Sequence, residues 1–171
     1  MYSKGQTLPI EVVDRLNAYW ENNPDRRRHR SEMGNVANVE YMDLKNSKDP
    51  DILEAQFLLS DLAKQHLTET GESSIIVPHI GFYMLEYGAG SFTSMHVDGQ
   101  QGGIIGATTI CLLTKSDDLC GGSIVVDDNG ALSVVDQDVN EVVIYNSDVM
   151  HGVSRLVSGT RRVMVCWFQQ G

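Results

Sequence analysis

The residues of this chain best suited to act together chemically are His96, Asp98, His151 and Arg161. His96 and Asp98 close the stretch YGAGSFTSMHVD, residues 87–98, which has the character of a strand. Residues two apart on a strand project to one face, so an imidazole and a carboxylate lie side by side. Such a pair can occupy two positions on a metal but cannot fix its geometry. A third ligand must come from elsewhere, and His151, after the run EVVIYNSDVM, is the good candidate. Taken singly, an H-x-D and a loop histidine read as ordinary surface hydrogen bonding. About four strands of chain separate Asp98 from His151, enough for a rolled antiparallel sheet to bring them together.

Two imidazoles and one carboxylate form the facial set that holds non-haem Fe(II) and leaves coordination positions open. Arg161 adds a second feature, because it opens the apolar run 161–168. A positive charge there is costly to bury unless an anion meets it. Alternation puts Arg161, Val163, Val165 and Trp167 on one face, and Arg162, Met164, Cys166 and Phe168 on the other. A guanidinium suits bidentate recognition of a carboxylate. Arg162 is the alternative holder of such a ligand, and a plain surface ion pair is the bland reading of either.

A chain of 171 residues, 42% hydrophobic, suits one domain with a sizeable core. The net charge of −10 disfavours nucleic acid and anionic membranes as partners. The basic run Arg26-Arg27-Arg28-His29-Arg30 reads as a solvated loop, with an anion site as the alternative. Cys111, Cys120 and Cys166 have no metal-finger spacing, and two of them fall in apolar runs as buried free thiols. That usage, with no signal region or bilayer-length apolar run, predicts a soluble cytoplasmic protein.

Residues 9–21 show helical spacing through Val12, Val13, Leu16, Tyr19 and Trp20, and a short strand is predicted at 36–43. Residues 50–70 form a second helix capped by Asp49, with a broad stripe from Ile52 to Leu67 that includes Leu53 and Phe57. His66 is expected at the surface edge of that stripe. Eight strand-like runs follow with no helix between them: 81–87, 92–97, 104–114, 123–126, 131–136, 141–145, 153–156 and 161–168. Regular short strands of this kind argue a sandwich or jelly roll, with the two helices against one face. The expected class is mainly β with N-terminal helices (α+β).

Taken in order, Tyr87-Gly88-x-Gly90, His96-x-Asp98, Gly121-Gly122, His151, Gly159-Thr160-Arg161 and Trp167-Phe168 resemble the 2-oxoglutarate/Fe(II) dioxygenase superfamily, most closely its prolyl 4-hydroxylase-like branch. The resemblance implies a double-stranded β-helix (jelly roll, cupin-like) spanning a single domain, 1–171. Residues 1–71 would be a helical support region and 75–169 the core. It implies Fe(II) on His96, Asp98 and His151, and 2-oxoglutarate held by Arg161 near Tyr87. Ile110, Leu112, Val153, Val165 and Trp167 match pocket-lining positions. Leu112 stands where some prolyl hydroxylases carry a tyrosine on the cosubstrate carboxylate, so Thr108, Tyr83 or Tyr145 would have to supply that hydroxyl.

The implied reaction couples decarboxylation of 2-oxoglutarate by O2, giving succinate and CO2, to hydroxylation of an unactivated C–H bond. Ascorbate is a further cofactor compatible with it. A prolyl residue of a protein or peptide is the first substrate by analogy, and an amino acid or other small metabolite the second. A cupin-like metal-binding protein without oxygenase activity, or a silent relative acting as a binding module, are the readings from another class. Residues 99–103, GQQGG, read equally as a lid over the substrate or as a plain connection.

Overall fold

The computed structural model describes residues 1–33, 35–71, 76–98 and 105–170. The described elements are β1 (Tyr2–Thr7), α1 (Ile10–Asn22), a 3-10 turn (Pro24–Arg26), β2 (Arg28–Met33), β3 (Val36–Asp43), α2 (Pro50–Glu69), β4 (Ile76–His96), β5 (Ile105–Lys115), β6 (Ile124–Asp128), β7 (Ala131–Val135), β8 (Glu141–Asn146), β9 (Met150–Val153) and β10 (Arg161–Gln170). The 99–103 segment lies outside the described residues.

The strands follow the order β1-β8-β5-β10-β4-β9-β6-β7, with β2-β3 joined to β4. Strand β4 makes the architecture possible. Its earlier residues, up to Tyr87, pair with β10, and its last residues, Thr93 and His96, pair with β9. One strand therefore belongs to both walls of a curled sheet. Two predicted runs, 81–87 and 92–97, are fused in this 21-residue strand. Gly88 and Gly90, which lie between the two runs, are part of the strand, with Gly90 at φ +86°.

Two cores result, and β10 divides them. Met164, Cys166 and Phe168 pack against Val13, Leu16 and Trp20 of α1 and Ile52, Leu59 and Leu67 of α2. Val163 and Val165 face the sheet interior with Ile110, Val126, Val143 and Tyr145. That is the alternation expected from sequence. Burying an aromatic or branched side chain contributes about 1.5–3 kcal/mol, so each face of β10 is held strongly to its own core. Asp49 caps α2 through the Asp51 N–H. Cys111 and Cys166 are buried free thiols, and burial pushes the Cys111 pKa up to about 12.

Several local expectations are corrected. Arg28, His29 and Arg30 begin β2 instead of lying in a loop, because they pair with Tyr41, Glu40 and Val39 of β3. The polar strand β1 has no apolar alternation and is fixed by pairing with β8. Leu53 and Phe57 are exposed, since only the Ile52–Ala55–Leu59–Ala63 side of α2 meets the sheet. His66 is buried, not superficial: its ring bonds Ser3 Oγ at 3.0 Å and Asn146 Oδ1 at 2.6 Å, tying β1 and β8 to α2.

Candidate metal and cosubstrate site

His96 is the last residue of β4, and Asp98 lies just beyond it in a turn, not in the strand. His151 lies within β9, where residues 153–156 had been expected to form the strand. Its pairing with Val126 on one side and His96 on the other moves the strand earlier. One ligand atom from each of His96, Asp98 and His151 falls within 4.8 Å of the others. The His96 Nε2 stands 3.3 Å from Asp98 Oδ1, and the His151 Nε2 stands 3.6 Å from Asp98 Oδ2.

The tautomers follow from the other ring nitrogens. His96 Nδ1 lies 2.8 Å from the Ser94 carbonyl and His151 Nδ1 lies 2.9 Å from the Val149 carbonyl. A carbonyl only accepts, so each Nδ1 carries a proton, and Nε2 is the ring atom each imidazole turns toward the carboxylate. Asp98 is held in turn by Thr108, whose hydroxyl donates to Oδ2 at 2.6 Å, and by the Trp167 indole N–H at 3.2 Å. Gly81 makes room for that indole: a Cβ there would lie 2.2 Å from the Trp167 ring.

Burial works against the charge of Asp98, but the His96 hydrogen bond, the nearby His151 and Thr108 outweigh it and hold the carboxyl below its usual range. For His96, burial is likewise outweighed by its bonds to Asp98 and the Ser94 carbonyl, and its pKa is raised. For His151 burial prevails over the attraction of Asp98, and its pKa is lowered. Two imidazole nitrogens, once free of any Nε2 proton, and one carboxylate oxygen, converging from one side, fit a divalent metal such as Fe(II).

The triad borders a mostly apolar cavity also lined by Tyr87, Ile110, Val153, Val165 and Trp167, five of the positions expected to line a cosubstrate pocket. Leu112 does not line it. It borders a neighbouring cleft with Arg161, because it lies two residues further along β5 than Ile110, although both belong to the same interior core. Thr108 is buried beneath Asp98. The Tyr145 ring lies against His151 with centroids 4.1 Å apart, and Tyr83 meets Trp167 edge-on at 5.5 Å.

Arg161 is 3% exposed and has no ion-pair partner among the described residues. Its Nη1 donates to the Gly122 carbonyl and its Nη2 to Gln137 Oε1 at 3.2 Å, while its Nε has no hydrogen-bond partner among the described residues. Its guanidinium carbon lies 5.7 Å from the Tyr87 ring centroid. Burial lowers its pKa, against the opposing pull of Tyr87 and Asp136. A buried cation with an unmatched donor is what a carboxylate ligand would complete. Arg162, the alternative, is already committed to Glu86 and Glu21. Gln137 was missed, since a lone glutamine after Val135-Asp136 carries no periodic or motif signal; its amide also bonds the Ile110 carbonyl.

The family model of the 2OG-Fe(II) oxygenase superfamily matches residues 82–169, which hold the triad and Arg161. The chain belongs to that superfamily. Solved structures agree in fold. A prolyl-4-hydroxylase of Pseudomonas putida superposes with TM-score 0.81 at 15% identity, over 99% of this chain and 92% of its own. A prolyl hydroxylase from Trichoplax adhaerens, in complex with a hypoxia inducible factor oxygen degradation domain peptide fragment, gives 0.70 at 13%, over 98% and 83%. The non-heme alpha ketoglutarate dependent carbocyclase SnoK from nogalamycin biosynthesis gives 0.74 at 14%, over 99% and 79%. No curated protein matches the chain. The fold is thus the double-stranded β-helix of 2OG-Fe(II) oxygenases, and the chain is an enzyme of that class using Fe(II), 2-oxoglutarate and O2. Among the described residues, no helix is long and apolar enough to cross a membrane.

Proposed function

We propose that this oxygenase hydroxylates an unactivated C–H bond of a prolyl residue in a protein or peptide, with the whole chain acting as one catalytic domain. The observation that carries the site assignment is the convergence of His96, Asp98 and His151 within 4.8 Å at the wall of an apolar cavity. In this reading those three side chains hold Fe(II). Bound there with O2, the metal and 2-oxoglutarate supply the oxidising power, and the cosubstrate leaves as succinate and CO2.

The protein's own residues position and exclude. Asp98 contributes one negative charge, oriented by Thr108 and Trp167. Arg161 grips the distal carboxylate of 2-oxoglutarate, with Gly122 and Gln137 steering the guanidinium. Tyr87 lies between Arg161 and the cavity, its hydroxyl bonded to Thr93 at 3.1 Å. Ile110, Val153 and Val165 keep the reacting region dry. Gln137 steers Arg161 itself, so the second contact to the carboxylate is left to a hydroxyl such as that of Thr108, Tyr83 or Tyr145.

A small-molecule substrate is the second reading, supported by the likeness to a carbocyclase from antibiotic biosynthesis. Incubation with Fe(II), 2-oxoglutarate and ascorbate, against proline-containing peptides and free amino acids, tests the two. Succinate formation coupled to one added oxygen on a peptidyl proline is the expected result. Oxygen added only to small molecules would favour the second reading.

A further inference from the structure

Alongside the triad cavity lies a second, open groove of about 410 Å³, lined by three arginines, Arg26, Arg28 and Arg30, by two carboxylates, Asp25 and Asp43, and by Tyr41 and Tyr83. Its arginines differ from others in the chain. Arg15, Arg27 and Arg162 each have a carboxylate partner. Arg26 instead donates to the Tyr19 hydroxyl, Arg28 to main-chain carbonyls of Asp25 and Arg27, and Arg30 to the Tyr41 hydroxyl at 3.0 Å. Among the described residues none of the three makes an ion pair, in a chain of net charge −10. All three are exposed, and Arg30 lies 4.7 Å from the Tyr41 ring centroid.

The register of the sheet ties this groove to the metal site. Side chains directly opposite one another on paired strands share a face. Arg28 opposes Tyr41, which opposes Leu85, and Arg30 opposes Val39, which opposes Tyr87. Leu85, Val39 and Tyr87 line the triad cavity, so Arg28 and Arg30 project from the same face of the sheet, two strands away. Tyr83 lines both spaces and touches Trp167, whose indole reaches Asp98. Two strand spacings, about 10 Å and the span of about three residues of extended peptide, separate β2 from the cavity wall at Leu85 and Tyr87, and His96 lies further along β4.

We propose that Arg28 and Arg30 bind a carboxylate of the substrate, an Asp or Glu side chain at least about three residues from the position that is hydroxylated. The proposal rests on the oxygenase reading for what enters the cavity, but the groove's preference for a carboxylate can be measured by itself. A guanidinium pair offers forked donors to carboxylates, and one or two acidic side chains meet the local positive field. A long polyanion would also meet the repulsion of the whole acidic surface.

The test uses the full chain and a fluorescein-labelled peptide, Gly-Asp-Gly-Gly-Pro-Gly-Gly-Asp-Gly, beside its twin with Asn in place of Asp, read by anisotropy. The Asp peptide is expected to bind about tenfold or more tightly than the twin, and the doubly substituted Arg28→Gln/Arg30→Gln protein to lose that preference. Arg15→Gln, remote and already paired in the parent, should leave it unchanged. Equal binding of the two peptides, or an unaltered preference in the double variant, overturns the proposal. N-acetylaspartate competing as well as the peptide would assign the groove to free carboxylate metabolites, and tighter binding of oligo-dT would assign it to nucleic acid; either overturns the peptide assignment. Fe(II) and 2-oxoglutarate binding is measured on the same samples. Its retention in the double variant separates loss of the groove from loss of the fold, and its absence in the parent would sink the oxygenase reading without touching the peptide result.

Discussion

His96 and His151 are register partners across β4 and β9, with ring centroids 4.3 Å apart, and each gives its Nδ1–H to the carbonyl two residues before it. The same local device is used twice. It fixes both ring orientations, so that each Nε2 faces the one carboxylate, where a metal ion would take the place of any Nε2 proton. The two rings are therefore built into the strand pairing, whereas Asp98 sits beyond the end of β4 and is held by Thr108 and Trp167.

Asp98→Ala removes the anionic ligand while leaving both rings on their carbonyls. Turnover should be abolished and Fe(II) affinity should fall sharply, measured by metal titration of the folded variant. Substantial retained activity would sink the triad assignment.

Thr108→Val keeps shape but deletes the hydroxyl that donates to Asp98 Oδ2. Removing such a supporting contact typically costs about 10–100-fold in metal affinity. Unchanged affinity would mean that Trp167 alone suffices to orient the carboxylate.

Gly81→Ala drives a methyl into the Trp167 ring, which cannot remain where it bonds Asp98. Overpacking of this kind costs about 1–3 kcal/mol. The expected signs are a lower unfolding midpoint and altered Trp fluorescence, together with weaker metal binding. A variant with normal metal affinity would show that the indole is not needed at Asp98.

Arg161→Gln should raise the KM for 2-oxoglutarate by about tenfold or more, since a charge-assisted bond to a carboxylate is lost. Fe(II) affinity measured without cosubstrate should stay within a few fold. If 2-oxoglutarate binding were unchanged, the carboxylate contact would have to lie elsewhere.

His66 gives the fold an acid sensitivity. Burial holds its pKa below the ordinary 6.5, against the opposing hydrogen bond that its Nε2–H donates to Asn146 Oδ1. The unfolded chain then takes the proton first, so stability is full above about 6.5 and is lost as pH falls toward the depressed folded value. His66→Gln should flatten that part of the stability–pH curve in urea melts. An unchanged slope would assign the acid sensitivity to another group.

How much of this could be read from the sequence depended on whether a signal was local. The β10 alternation from Arg161 to Phe168 and the Asp49 cap of α2 were legible, because each is written in neighbouring residues. The ligand set was legible through ordered motifs, yet the strand around His151 was misplaced, since β9 is defined by partners at Val126 and His96 that lie far along the chain. His66 was misjudged because it lies on the buried side of α2, where Ser3 and Asn146 satisfy it from distant strands. Gln137 and the indole of Trp167 act through contacts that no spacing announces.

The central claim is that the His96–Asp98–His151 cluster and Arg161 together hold Fe(II) and 2-oxoglutarate. Anaerobic titration with both, watched for the weak visible metal-to-ligand charge-transfer band, tests it most directly. The account predicts a saturable band that fades on admitting air, with succinate formed, and that is lost in Asp98→Ala. Iron binding without any band would contradict it, leaving a metal-holding β-roll whose Arg161 serves some other anion.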